Sequence, residues 1–95
     1  MPAIGVLTME LRIEHARSLK DKRHVVKSVK ERLRHKHNIS IAEIDYQDIW
    51  NSALIAAVTV SSSRMLAGQI LEAVERHAAS ELGGMLISAD IEWLE

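Results

Sequence analysis

Apolar residues in this chain recur with a period of two, then about 3.6, then two in two successive segments, then about 3.6, then two again. That order restricts the possible folds more than any single residue does. Residues 3–13 alternate, with Leu7, Met9, Leu11 and Ile13 on one face and Thr8, Glu10 and Arg12 on the other. This predicts a strand with one covered face. Ile4 and Val6 fall on the second face, which is therefore apolar at one end. Residues 18–36 shift to helical spacing. Leu19, Val25, Val26, Val29 and Leu33 form the stripe, Ser18 stands at the N-cap, and Asp21 three residues later gives a variant of the capping box. His37 and Asn38 suit the stop. Residues 39–46 alternate again, but the apolar parity changes from Ile39 and Ile41 to Ile44 and Tyr46, which predicts a bulge or bend near Glu43. "QDIW" reads as a hairpin connection, and residues 50–60, "WNSALIAAVTV", are apolar almost throughout, as in a central strand. "SSSR" opens a second helix over 63–80, with Leu66, Ile70, Val74 and Ala78 as its buried stripe and Gly83-Gly84 as its stop. In residues 85–94, Ile87, Ala89, Ile91 and Trp93 alternate with Ser88, Asp90 and Glu92.

The resulting order is βαββαβ. With right-handed crossovers it predicts an α+β, ferredoxin-like sandwich in which a four-stranded antiparallel sheet carries both helices on one face. Residues 1–95 are expected to form a single ferredoxin-like domain, since no linker or low-complexity segment interrupts the pattern. A chain this short buries only about two thirds of the surface that its unfolded form exposes, so association of two copies would help it. The uncovered sheet face is expected to carry Ile4, Val6, Ile55, Ala57 and Thr59, an apolar set that a symmetric homodimer would cover.

There is no cysteine, which excludes disulfides, thiolate metal sites and a cysteine nucleophile and fits a cytoplasmic protein. The N-terminus lacks a basic segment and a cleavage site, and no apolar run approaches the roughly 20 residues that span a bilayer, so no membrane role is expected. The five histidines show no ligand spacing; His35 and His37 diverge on a helix by about 200°. Neither a metal nor a cofactor is expected.

The near-neutral total charge hides an asymmetry. Residues 1–37 carry ten Lys/Arg against four Asp/Glu, and residues 38–95 carry two against nine. Within the first helix, Lys20, Arg23, Lys27, Lys30 and Arg34 recur at alternating spacings of three and four and align on one flank over roughly 20 Å. Three readings fit this line: a solvated helix face, a contact with an RNA phosphate backbone, or docking onto the acidic half of the chain or of a second copy. Lys22 points to the buried side, where it snorkels to an edge or pairs with an acid at the end of the sheet. Lys22, Arg23 and Asp48 also define a possible anion or ion-pair site at the helix N-terminus, although Asp21 already places negative charge there. Glu43, Asp45 and Asp48 are further acids that the basic helix could meet.

Several chemistries are excluded by residue type. Base stacking of the RNA-recognition-motif kind needs aromatics on the central strands, and only Trp50, at an end, is aromatic there. No GXXG loop of the KH kind exists. "EHARSLKD" has none of the glycines that an acylphosphatase-like anion loop needs. No residue set suggests catalysis.

"SLKDKRHVVKSVKERLR" followed by "NISIAEIDYQDIW" resembles the YlxP-like family, small bacterial proteins of unassigned function. The likeness covers most of the chain and fades toward "ELGGMLISADIEWLE". It implies a ferredoxin-like fold and no established catalytic residues. The family's genes often neighbour those for translation-initiation and small-subunit maturation factors, so the resemblance implies contact with ribosomal or other structured RNA. One departure is "KHN", where relatives more often have an aromatic, so His37 is expected to pack less firmly. The expected function is a non-enzymatic RNA- or ribosome-associated module acting through the basic helix. The alternatives are a self-assembly module without a nucleic-acid role and a small anion-binding protein.

Overall fold

The structure, a computed structural model, describes residues 1–95. Its elements are β1 (Ala3–Arg12), α1 (Leu19–Lys36), β2 (Ser40–Asp45), β3 (Ser52–Ser61), α2 (Arg64–Leu82) and β4 (Leu86–Trp93), with a 3₁₀ turn over Gly83–Met85. The strands form one sheet in the order β2-β3-β1-β4, and every neighbouring pair is antiparallel. This is the βαββαβ ferredoxin-like sandwich that the periodicity predicts. No helix is long and apolar enough to cross a membrane.

Both helices start where a serine can cap them. The Ser18 hydroxyl accepts from the Asp21 amide at 3.1 Å, and the Ser63 hydroxyl accepts from the Leu66 amide at 3.1 Å. Each bond satisfies one of the amides that a helix leaves unpaired in its first turn. The Asp21 carboxylate accepts from the Arg17 amide at 3.0 Å, one residue before the cap. At the far end of α2, Gly83 takes φ +58°, a conformation that an L side chain disfavours.

The core lies between sheet and helices. β1 contributes Leu7, Met9 and Leu11, and β3 contributes Ala53, Ile55 and Ala57; α1 adds Val26, Val29 and Leu33, and α2 adds Leu71, Val74, Ala78 and Leu82. Register fixes the faces. Leu7 pairs with Ala57 and Met9 with Ile55, so these residues share the covered side. The expected open face is therefore corrected in part. Ile4 and Val6 lie on it, but Ile55, Ala57 and Thr59 are buried beneath the helices, and their places are taken by Leu54, Ala56, Val58 and Val60. The Thr59 hydroxyl is satisfied inside, donating to the Asn38 carbonyl at 2.8 Å.

Two other expectations shift. The buried stripe of α2 runs through Ala67, Leu71, Val74, Ala78 and Leu82, and Leu66 is exposed. Small residues are needed where α2 approaches the sheet: a Cβ on Gly5 would stand 2.7 Å from Leu71 Cδ1 and 3.0 Å from Trp93 Cζ3. In β4, a register shift against Glu10 and Leu11 throws Ile87 outward, while Ala89, Ile91 and Trp93 keep the covered side. The irregularity expected near Glu43 is present, between Glu43 and Asp45 of β2.

Candidate nucleic-acid interface

The apolar stripe of α1 decides where its charges go. Val26, Val29 and Leu33 turn one side of the helix into the core, and Lys22 extends the same line into the first turn. Arg32, on one flank, reaches across to the Glu81 carboxylate of α2. Lys20, Arg23, Lys27, Lys30 and Arg34 occupy the other flank, about 110° around the helix from the buried line and turned away from α2. Lys20, Arg23, Lys27 and Arg34 are exposed, and Lys30 is half-buried. α1 packs chiefly against β2 and α2, so the cationic flank runs along the β2 edge of the molecule.

None of these five side chains has an acidic partner. The Lys/Arg–carboxylate pairs of the structure are Lys22–Glu43 and Arg32–Glu81. The acidic half of the chain therefore takes two cations of α1, neither of them from the line, and leaves all five line residues without a carboxylate partner. No aromatic side chain belongs to the line, so it presents charge without a stacking surface.

Lys22 belongs to the structure of the hairpin. It is fully buried, and the three protons of its ammonium are shared among four acceptors: Glu43 Oε2 at 2.9 Å, the Tyr46 carbonyl at 2.6 Å, the Ser52 carbonyl at 3.1 Å and, longest, the Gln47 carbonyl at 3.3 Å. This corrects the candidate anion site of Lys22, Arg23 and Asp48. The ammonium has its acceptors already and no exposed surface, while Arg23 and Asp48 stand exposed without a hydrogen bond between them. Instead, Lys22 ties α1 to the β2–β3 connection, where Tyr46 adopts φ +67° and its amide donates to Asp45 Oδ1 at 2.7 Å. Around that tied turn, Ile44, Ile49 and Trp50 are exposed.

Two histidines meet where the sequence shows no pattern. His37, at the end of α1, and His77, in α2, approach with Nε2 and Nδ1 3.0 Å apart, and Glu81 lies 3.5 Å from the other nitrogen of His77. His37 is thus held at its corner by a ring nitrogen and a tilted ring contact at 5.2 Å, more firmly than expected of a residue replacing an aromatic. Burial, followed by the charges of His77 and Lys36, lowers the His37 pKa from its usual 6.5. The bond to Arg32 lowers that of Glu81, with the charges of Arg32 and His77 adding to it. No three His, Asp or Glu side chains converge as a metal-binding group.

Comparison with known proteins gives a family and a fold. The model of a family described as "Protein of unknown function (DUF503)" matches residues 4–91. The "Uncharacterized protein YlxP" of Bacillus subtilis (strain 168) is 42% identical over 71 residues, which cover 75% of this chain and 77% of that protein. The de novo designed protein Foldit4 superposes with a TM-score of 0.61 at 8% identity, over 100% of this chain and 98% of the design. A second de novo design, described as having a ferredoxin fold, superposes with a TM-score of 0.50 at 18% identity, over 98% of this chain and 83% of the design. At such identities the two designs speak for the fold alone.

Proposed function

The chain belongs to the DUF503 family of proteins of unknown function, and from that premise we propose that it is a non-enzymatic module of the cytoplasm that binds structured RNA, ribosomal RNA in particular, through the outer flank of α1. The observation that carries this reading is the line Lys20, Arg23, Lys27, Lys30 and Arg34, five cations without an internal acidic partner. Like charges stacked at three- and four-residue spacings weaken a helix by a few tenths of a kcal/mol per pair, a repulsion that a polyanion lying along the line would offset. Its alternating spacing places one cation about every 5 Å along roughly 20 Å, which suits a run of backbone phosphates. Without aromatics on the flank, recognition rests on charge and on the shape of the RNA helix, not on unstacked bases.

The test is a filter-binding titration of the protein with structured RNA at two salt concentrations. Five phosphate contacts give a slope of log K against log salt of about −4. The combined variant Lys27→Glu, Lys30→Glu, Arg34→Glu should lose binding and retain its fold, since none of these side chains has a folded-state partner. No affinity at low salt, or equal affinity of the variant, refutes the reading.

A further inference from the structure

We propose that the open face of the sheet is a self-association surface, closed by a second copy of this chain in a face-to-face dimer. The face is built on the β1–β3 pair, whose register runs without a shift from Ala3–Ser61 to Arg12–Ser52. Ile4 lies opposite Val60, Val6 opposite Val58, and Thr8 opposite Ala56, with Leu54 continuing the row. Val60 alone is 57% exposed, and the others keep part of their surface in water. Both helices pack on the opposite side, so no element of the chain covers these residues.

Area and charge select the occupant. Four strands about 4.8 Å apart and about eight positions of about 3.3 Å give a face of roughly 500 Å² per copy, or about 1,000 Å² for two, which sits at the lower limit for a biological interface and suits a weak dimer. The rim is acidic on the β4 side, where Asp90 lies opposite Thr8 and Glu92 opposite Val6, and Glu10 lies nearby on β1. Those carboxylates repel nucleic acid and anionic lipid, which leaves a flat apolar protein surface as the complement. A second copy supplies one of the same width. They also fix the arrangement. A two-fold axis between the sheets and perpendicular to the strands would stack β4 on β4 and oppose the acidic rows. An axis parallel to the strands sets β4 over the neutral Ser40 and Ala42 of β2, and β1 over β3, so Val6 of one copy meets Val58 of the other. Two sheets packed in this way cross at about 30°.

The experiment is sedimentation equilibrium on the full chain from low to high micromolar concentration, with Val58→Glu beside it. The unmodified protein should dimerise, and Val58→Glu should weaken the dimer by about 100-fold or more, because its carboxylate would be buried without a partner. Circular dichroism should show that this variant folds, since Val58 faces water in the monomer. A second readout needs no charge. Val58→Ala, which removes only apolar surface from each copy, should weaken the dimer by about tenfold. A monomer at several hundred micromolar overturns the proposal. So does a dimer indifferent to Val58→Glu or to Val58→Ala.

Discussion

Replacing Lys22 by methionine isolates the contribution of one buried charge to the fold. Methionine keeps most of the apolar stem in place and removes only the ammonium. What remains behind is Glu43, whose side chain is 15% exposed, and the carbonyls of Tyr46, Gln47 and Ser52. Removing one partner of a buried pair destabilises by about 3–5 kcal/mol. The carbonyls of Tyr46 and Gln47 sit in a turn next to solvent and regain water, so the lower end, about 3 kcal/mol, is expected. A chain of this length has a total stability of about 5–14 kcal/mol, so the loss takes a fifth or more of it. At about 4–8 °C per kcal/mol, the midpoint of thermal unfolding should fall by about 12–24 °C. Urea unfolding followed by circular dichroism measures the loss directly. Because the pair is enclosed, the difference between the two proteins should change little between 0.05 and 0.5 M salt, on the order of a few tenths of a kcal/mol. Hydrogen exchange should quicken across residues 46–52, where the ammonium holds the left-handed Tyr46. Removing Glu43 together with Lys22, both by apolar residues, should restore part of the stability. A loss below about 1 kcal/mol for Lys22→Met would refute the reasoning, because it would mean that water replaces the ammonium at every acceptor.

Two glycines on the Trp93 side of the core should respond in opposite directions. Gly5→Ala forces a methyl to within 2.7 Å of Leu71 Cδ1 and should destabilise by about 1–3 kcal/mol. Gly68→Ala finds its nearest atom at 3.8 Å inside α2 and should stabilise by about 0.5–1 kcal/mol, both read as shifts of the urea midpoint. Acidification should expose the His37–His77 contact. The His37 pKa is lower in the folded chain than its usual 6.5, so the unfolded chain takes up the proton first. Stability from this group is complete above 6.5 and is lost as pH falls from there toward the folded pKa. His77, Lys36 and, through His77, Glu81 are the groups that face it, and Glu81, whose own pKa is lowered, loses its contribution only in more acid solution, below 4.5. His37→Gln should flatten the fall in urea midpoint below pH 6.5, and an unchanged fall would place its origin elsewhere.

The element order and both helix starts were legible because each rests on local chemistry. Ser18 and Ser63 cap through an amide three residues away, and Leu7, Met9 and Leu11 alternate without interruption. The faces of β3 were not legible in the same way. Leu54, Ala56 and Val58 are as apolar as Ala53, Ile55 and Ala57, so composition leaves the parity open, and only pairing with β1 decides it. The same holds for Ile87, whose place in the alternation is undone by a register shift that no residue type announces. The cationic line could be read from spacing alone, because helical geometry fixes which side chains share a flank. That Lys22 turns inward was also readable from its angle. Its acceptors were not, since they are 21 to 30 residues away and three of them are backbone carbonyls. The His37–His77 contact joins residues 40 apart in two different helices, and periodicity carries no signal for it.

The sandwich separates the two proposed surfaces, and that bears on how their tests combine. The apolar face lies on the side of the sheet away from the helices, whereas the cationic line lies in the helix layer, turned away from α2. In a face-to-face dimer both helix layers are outermost, and an axis parallel to the strands carries the two β2 edges to opposite sides. The two lines of five cations then point away from each other across two sheets about 10 Å apart. Neither line is covered by dimerisation, and a single straight stretch of RNA cannot lie against both. The phosphate count per chain is therefore a property of one α1, and a salt slope near −4 is expected whether the protein is a monomer or a dimer. A slope that doubled on association would require the lines to be adjacent, which the parallel axis forbids.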